Sequence, residues 1–465
     1  MLTATMALYL VALLAIGAWA QRRTADTSDF HLAGRDMGAF VAALSASASS
    51  SSAWTLLGMS GAAYAWGLQA IWLVPAVVSG FVINWCFVAP RLQPASRADG
   101  SLTLVEFLSN GMPERSRRWL RAGGAAIILF CFTFYVASQF QAAGDAIGTA
   151  LEIPPWTALV GGAAIVIAYV FLGGFWAASV SDALQGLMML FVALVLPVVA
   201  VIAVGGPGAV LDGLAALDDP SLTRWVDQPN GLLALVFVAG LFGIGLGYPG
   251  QPHVVNRFMA LRDERSLRAG RIMALTWAAL IYTGMVVLGW AGRVLMPELP
   301  DGEQVLLMLS ADLLPAVLGG LIIGGVLAAI MSTSDSQLLV AGSAVSHDLR
   351  WQGRYSLALD RLVVVVLGIA AVLLALYFPA RIFDRVLFAW QALGNAFGPL
   401  LVVLLFVGPV RPAFRLAAMG VGFGLTVAIS LLAFQAPGNA VERLLPLVCS
   451  LLLAWAGCER RHRQP

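Results

Sequence analysis

The chain of 465 residues contains no lysine: all 27 basic residues are arginine, and charged residues of both signs make up only 11% of it. So little charge, set against 60% hydrophobic residues, excludes a soluble domain of this size. Cysteine is scarce too. Cys86, Cys131, Cys449 and Cys458 lie in or beside hydrophobic segments without metal-ligand spacing, so neither a zinc site nor a disulfide framework is expected. The histidines offer no metal cluster either. His31, His347 and His462 fall in loops or at helix ends, and His253 follows Pro252 near another helix end. Nothing resembles HExxH or a related zinc motif. The apolar segments hold no nucleophile–base pair, which argues against an intramembrane enzyme. A net charge of +2, with the arginines clustered in short loops, points to no nucleic acid.

What the chain has instead is apolar runs, too many and too long for a signal peptide plus an anchor. At about 20 apolar residues per span, thirteen helices are expected: 2–20, 38–64, 68–88, 122–147, 157–173, 176–205, 231–256, 269–292, 305–346, 358–378, 383–408, 413–434 and 441–457. The run 305–346 exceeds one span, so its first turns are expected in the interface, and Arg91–Arg121 reads as a long basic segment between spans. Arginine then sets the orientation. Alternate loops hold Arg22, Arg23 and Arg35; Arg91, Arg97, Arg115, Arg117, Arg118 and Arg121; Arg257, Arg262, Arg265, Arg268 and Arg271; Arg350, Arg354 and Arg361; Arg411 and Arg415; Arg460, Arg461 and Arg463, which is 22 of 27. Arg224, Arg293, Arg381, Arg385 and Arg443 lie on the other side. The positive-inside rule makes the first set cytoplasmic, with the N-terminus outside and the C-terminus inside. The fold class is all-α and polytopic, and one helical bundle occupies the whole chain, in the lipid bilayer of the cell (inner) membrane.

Polar residues inside these runs carry the chemistry. In Leu327-Ala-Ala-Ile-Met-Ser-Thr-Ser-Asp-Ser-Gln-Leu-Leu-Val340, Ser332, Asp335 and Ser336 share one helix face. A carboxylate among hydroxyls suits a small hard cation, and at mid-membrane it costs roughly 2.5 kcal/mol or more. No arginine occurs between Arg293 and Arg350 to pair with Asp335 locally. Asp182 lies in a second apolar helix. Ser45-Ala-Ser-Ala-Ser-Ser-Ser-Ser-Ala53 either breaks its helix at mid-membrane, where backbone can face an ion, or forms a tight helix crossing. Gly243-Ile-Gly-Leu-Gly-Tyr-Pro-Gly-Gln-Pro-His253 must kink or unwind, as a site or as a plain kink. Gln391 and Asn395 add amides to a late helix, where they suit either a site or interhelical hydrogen bonds.

Taken together these stretches resemble the sodium:solute symporter family, close to its sodium/proline branch. The resemblance rests on Asp29-Phe-His-Leu-Ala-Gly-Arg35, Gly173-Gly-Phe-Trp-Ala-Ala-Ser-Val-Ser-Asp-Ala-Leu-Gln185, Leu246-Gly-Tyr-Pro-Gly-Gln-Pro-His253 and Leu327–Gln337, in order along nearly the whole chain. It implies a LeuT-type fold of two inverted five-helix repeats, 38–205 and 231–408, with an extra helix and loop in 1–37 and two extra helices and a tail in 413–465. Carried over residue by residue, it implies a sodium site made by the carbonyls of Ala48, Ser51 and Ala329 and the hydroxyls of Ser332 and Thr333. Asp182, Asp335 and Ser336, together with Ser332, match a second sodium site found in some members, with the carboxylate at 335 additional to a hydroxyl there. The solute pocket is placed between Ser49, Trp54, Tyr135, Ile244, Tyr248, Pro252 and Gln391. Ile244 replaces a tryptophan of the proline branch, and Ser50 replaces an acidic residue.

The function expected is sodium-coupled import, by alternating access, of a small organic solute such as proline or a small carboxylate. The alternative is a membrane sensor module using the same fold. The absence of any soluble domain after Arg463 argues against that alternative.

Overall fold

The computed structural model describes residues 32–172, 175–349, 357–432 and 436–459. The expected span 2–20, His31, His462 and seven of the loop arginines lie outside these residues. Among the described residues ten helices are long and apolar enough to cross a membrane, and the only extended pairing is two isolated bridges, Met37 with Leu261 and Val410 with Cys458.

The run 38–64 is not one helix. It forms α1 (Ala39–Ser50), a break at Ser51, a π-turn over Trp54–Gly58, and α2 (Met59–Trp66). Serines drive the break. Ser49 and Ser50 donate their hydroxyls to the carbonyls of Ser45 and Ser47, and Ser51 leaves helical geometry at φ −120°, ψ 84°. α2 ends at Gly67, whose φ of +61° and approach to the Leu222 carbonyl leave no space for a Cβ. The chain continues through α3 (Leu73–Val82), a π-turn and α4 (Ala89–Asp99), so the third span runs well past 88. The basic segment Arg91–Arg121 is largely helical. It holds most of α4, all of the short α5 (Leu104–Ser109), and the start of α6 (Glu114–Leu151). Thr103 caps α5 by accepting from the Glu106 amide, while Glu106 reaches back to the Leu102 amide.

Next come α7 (Pro155–Leu172), α8 (Phe175–Val204), and α9 (Pro207–Ala216) in the loop. The run 231–256 also divides, into α10 (Gly231–Leu246) and α11 (Pro252–Ala260), with the backbone unwound between them at Tyr248–Gln251. At Pro249 and Pro252 the backbone has no N–H to continue the helix. The unwound segment lies flat on its neighbours: a Cβ on Gly250 would stand 2.6 Å from the Gly394 carbonyl oxygen. After α12 (Glu264–Leu295), Leu314 and Pro315 split the run 305–346 into α13 (Val305–Leu313) and α14 (Ala316–Ser343). α15 (Leu357–Tyr377), α16 (Ile382–Phe406), α17 (Pro412–Leu431) and α18 (Ala440–Ala456) complete the bundle. The most apolar windows of α14 and α16 are 78% and 89% buried, against 28% for each of the last two helices. α14 and α16 are therefore central, and the final pair flanks the bundle.

Candidate functional site

The broken end of α1 meets the middle of α14. Ser332 donates its hydroxyl towards the carbonyls of Ala48, at 3.2 Å, and Ala329, at 3.1 Å. Thr333 reaches the Ser49 carbonyl at 3.3 Å. Ser51 lies beside them at the end of α1, its own hydroxyl 2.8 Å from that of Tyr282 on α12. The carbonyls of Ala48, Ser49 and Ala329 and the hydroxyls of Ser332 and Thr333, all from buried residues, thus bring neutral hard oxygens to one place without a carboxylate among them. Such a donor set fits a monovalent hard cation.

One turn further along α14 the chemistry becomes charged. Asp182 on α8 forms a buried ion pair with Arg257 of α11, at 2.9 Å, and accepts from Ser45 at 2.7 Å. Arg257 also donates to Ser45, to Ser336 and to the His253 carbonyl. Ser336 donates to Asp335 Oδ1 at 3.1 Å. Asp182, Asp335, Ser336 and Arg257 are each at most 1% exposed. Asp182 and Asp335 are thereby brought into one cluster. The sequence pattern counts Arg257 among loop arginines and offers Asp335 no local partner. In the fold this arginine is internal, and it reaches Asp182 across 75 residues of chain. One guanidinium faces two carboxylates, and Asp182 Oδ1 and Asp335 Oδ2 make no hydrogen bond.

The predicted solute residues converge around the break in α10. Tyr248 is buried against Phe81 and Trp390, with ring centroids 5.1 and 4.6 Å away, and its hydroxyl is 3.4 Å from that of Tyr282. Gln391 donates to the freed Gly243 carbonyl at 3.2 Å, and Trp390 to that of Ile244 at 3.0 Å. Tyr135 on α6 contacts Ser52, and Trp54 stacks on Phe383 at 5.6 Å. Pro252 begins α11, and Ser49 is fully buried at the end of α1. Asn395 turns away and bonds Thr426 of α17 at 2.9 Å, the interhelical reading.

Sequence reasoning missed Gln139, whose side-chain oxygen receives the Ala53 amide at the break; Tyr282; Trp390; and Glu303. Glu303 accepts the first amides of α16, from Ile382 at 2.9 Å and Phe383 at 2.8 Å. These residues lie in runs with no local peculiarity, and only the tertiary fold gives them partners.

The sodium:solute symporter family model matches residues 30–422. The osmoregulated proline transporter of Bacillus subtilis is 33% identical over 95% of this chain and 91% of its own length. The sodium/proline symporter of Escherichia coli is 34% identical over 91% and 86%. A sodium-coupled sialic acid symporter, solved with substrate in an outward-open state, superposes with a TM-score of 0.81 at 18% identity, over 97% of this chain and 96% of that one. A further likeness, with a TM-score of 0.54 at 16% identity over 91% of this chain and 99% of that one, is to MhsT solved in complex with L-phenylalanine. The fold is thus the LeuT-type transporter fold, in a multi-pass membrane protein. A broken α1, two hydroxyls of α14 facing it and a match along almost the whole chain lead to one conclusion: the chain belongs to the sodium:solute symporter family, and sodium is its coupling ion.

Proposed function

We propose that the chain imports proline, or a similarly small zwitterionic amino acid, together with sodium across the cell (inner) membrane. The N-terminus lies outside and the C-terminus in the cytoplasm, with 38–205 and 231–408 as the inverted repeats. Each repeat opens on a helix broken at mid-membrane, and these breaks support that division. One observation carries the reading. Ser332 and Thr333, on α14, lie 3.2 and 3.3 Å from carbonyls at the broken end of α1. A cation held by Ala48, Ser51, Ala329, Ser332 and Thr333 ties those two elements together. It also fixes Ser49 and Trp54, which belong to the solute pocket.

The pocket favours a solute of no net charge. Arg257 is committed to Asp182, and Arg385 to the Phe378 carbonyl and Gln141. Ser49, Trp54, Tyr135, Ile244, Tyr248, Pro252 and Gln391 are all neutral, and a lone carboxylate buried among them would lack a counter-charge. Trp390, beside Ile244, keeps an aromatic wall where the proline branch has a tryptophan. With Asp182 and Asp335 both ionised, the single guanidinium of Arg257 balances only one of the two charges. That balance supports a second monovalent cation there.

The test is uptake of labelled proline into proteoliposomes, with and without an inward sodium gradient. Accumulation only with the gradient is expected. Equal uptake without sodium would overturn the coupling, and sodium-driven uptake of a charged solute but of no small zwitterionic amino acid would overturn only the solute.

A further inference from the structure

Glu106 and His347 belong to neither the ion cage nor the solute pocket, yet they join the elements that carry both. Glu106 is on α5, which packs against α6, α11, α16 and the π-turn Ala344–Asp348 that ends α14. Its Oε2 lies 3.0 Å from His347 Nε2 and 2.8 Å from the Leu102 amide. Its Oε1 accepts from Arg121 of α6 at 3.1 Å. Alongside, Thr103 donates to Asp348 at 2.7 Å, and Arg121 to Ser109 at 3.0 Å. α5 is thus moored to the end of the helix bearing Ser332 and Thr333, and to the helix bearing Tyr135.

This is the face that the arginine pattern makes cytoplasmic. The side chains of His347 and Glu106 are 22% and 19% exposed, so protons reach them from water. Burial works against the charge of Glu106, but the His347 contact, the Leu102 amide and Arg121 hold its carboxyl down to about 2. The carboxylate therefore stays ionised. The imidazole is the member of the pair whose ordinary range, about 6.5, falls within cytoplasmic pH. Facing it are Glu106 from α5, Arg121 from α6 and Asp348 from its own turn.

We propose that Glu106 and His347 form a latch on the cytoplasmic exit, ionic when the imidazole is protonated and a plain hydrogen bond when it is not. Release of sodium and solute inward requires α5 to part from the end of α14. Protonation of His347 opposes that parting, so an acidic cytoplasm slows the inward-opening step. The proposal rests on the symporter reading and on this face being inside.

Hydrogen exchange in nanodiscs tests the latch without any solute. Amides of 102–109 are compared at about pH 6 and 8, after correction for intrinsic exchange rates. Wild type should be protected about two- to five-fold more at the lower pH, the range of a partly exposed ion pair. His347→Gln, which keeps a hydrogen-bonding group that cannot be protonated, should show equal protection at both. Asp348→Asn should keep the wild-type difference. Equal protection in wild type at both pH values, or an unchanged difference in His347→Gln, would overturn the latch. Should His347→Gln fail to fold, Glu106→Gln serves as the second variant and must also lose the difference. Sodium-driven uptake at an internal pH of 8, measured separately, reports on the symporter reading alone.

Discussion

At the scale of single residues, the two hydroxyls of α14 are the sharpest test. Ser332→Ala and Thr333→Ala each remove one oxygen without adding bulk. Each should raise the sodium concentration for half-maximal uptake by about tenfold or more, the size of one lost contact to a charge. Thr333→Ser should restore most of it. Sodium titrations of initial uptake decide the matter, and unchanged curves in both alanine variants would remove these residues from the cage. These residues were legible in the sequence because polar side chains in an apolar run have few reasons to be there. Arg257 was not. An arginine six residues past a break reads as a loop residue, and only the fold, which brings α11 to α8, shows that it pairs with Asp182.

The elements were legible to the extent that their own chemistry broke them. Serines at 45–52 and the glycines and prolines at 243–252 both interrupt a helix where the sequence allowed it, although a tight crossing or a plain kink was an equal reading from composition. The division at Pro315 and the helical character of Arg91–Arg121 were not legible, since one proline in a long run and a basic surface helix give weak local signals. The contact between Glu303 and the start of α16 is of this tertiary kind. It closes the face opposite α5, beside the clustered rings of Trp54, Trp66 and Phe383. A carboxylate suits the positive end of a helix. Burial pushes Glu303 above the ordinary carboxylate range, against the pull of the Phe383 and Ile382 amides. The closed arrangement therefore binds a proton more tightly than an open one, in which the carboxylate meets water. On the proposed orientation that face is outside, and external acidification should then favour closure and slow uptake in wild type. Glu303→Gln should transport with a flatter response to external pH. A response as steep as in wild type would mean that Glu303 does not titrate with closure.

For the whole molecule, coupling means that sodium and solute each raise the other's affinity by the same factor. In the proposed assignment Tyr248 belongs to the solute pocket and is none of the five cage residues, and Tyr282 stands between its hydroxyl and that of Ser51. Tyr248→Ala should weaken solute binding at saturating sodium by more than about tenfold, while sodium binding without solute stays near the wild-type value. Calorimetry or scintillation proximity binding checks this, and equal losses for both ligands would make Tyr248 a packing residue.

α6 runs unbroken through 38 residues, Glu114–Leu151, with Arg121 near one end and Tyr135 and Gln139 towards its middle. At 1.5 Å per residue, Arg121 and Tyr135 are about 21 Å apart along the axis. Such a helix acts as a lever arm with its short throw at the pocket. A tilt of about 5°, too small to notice at Tyr135, displaces the far end by about 2 Å over that length. A displacement of that size away from α5 takes the Arg121–Glu106 contact, now 3.1 Å, beyond hydrogen-bond reach. With Tyr135 in the proposed pocket, two solutes of nearly equal affinity should therefore differ in transport rate according to the angle at which each leaves this rod.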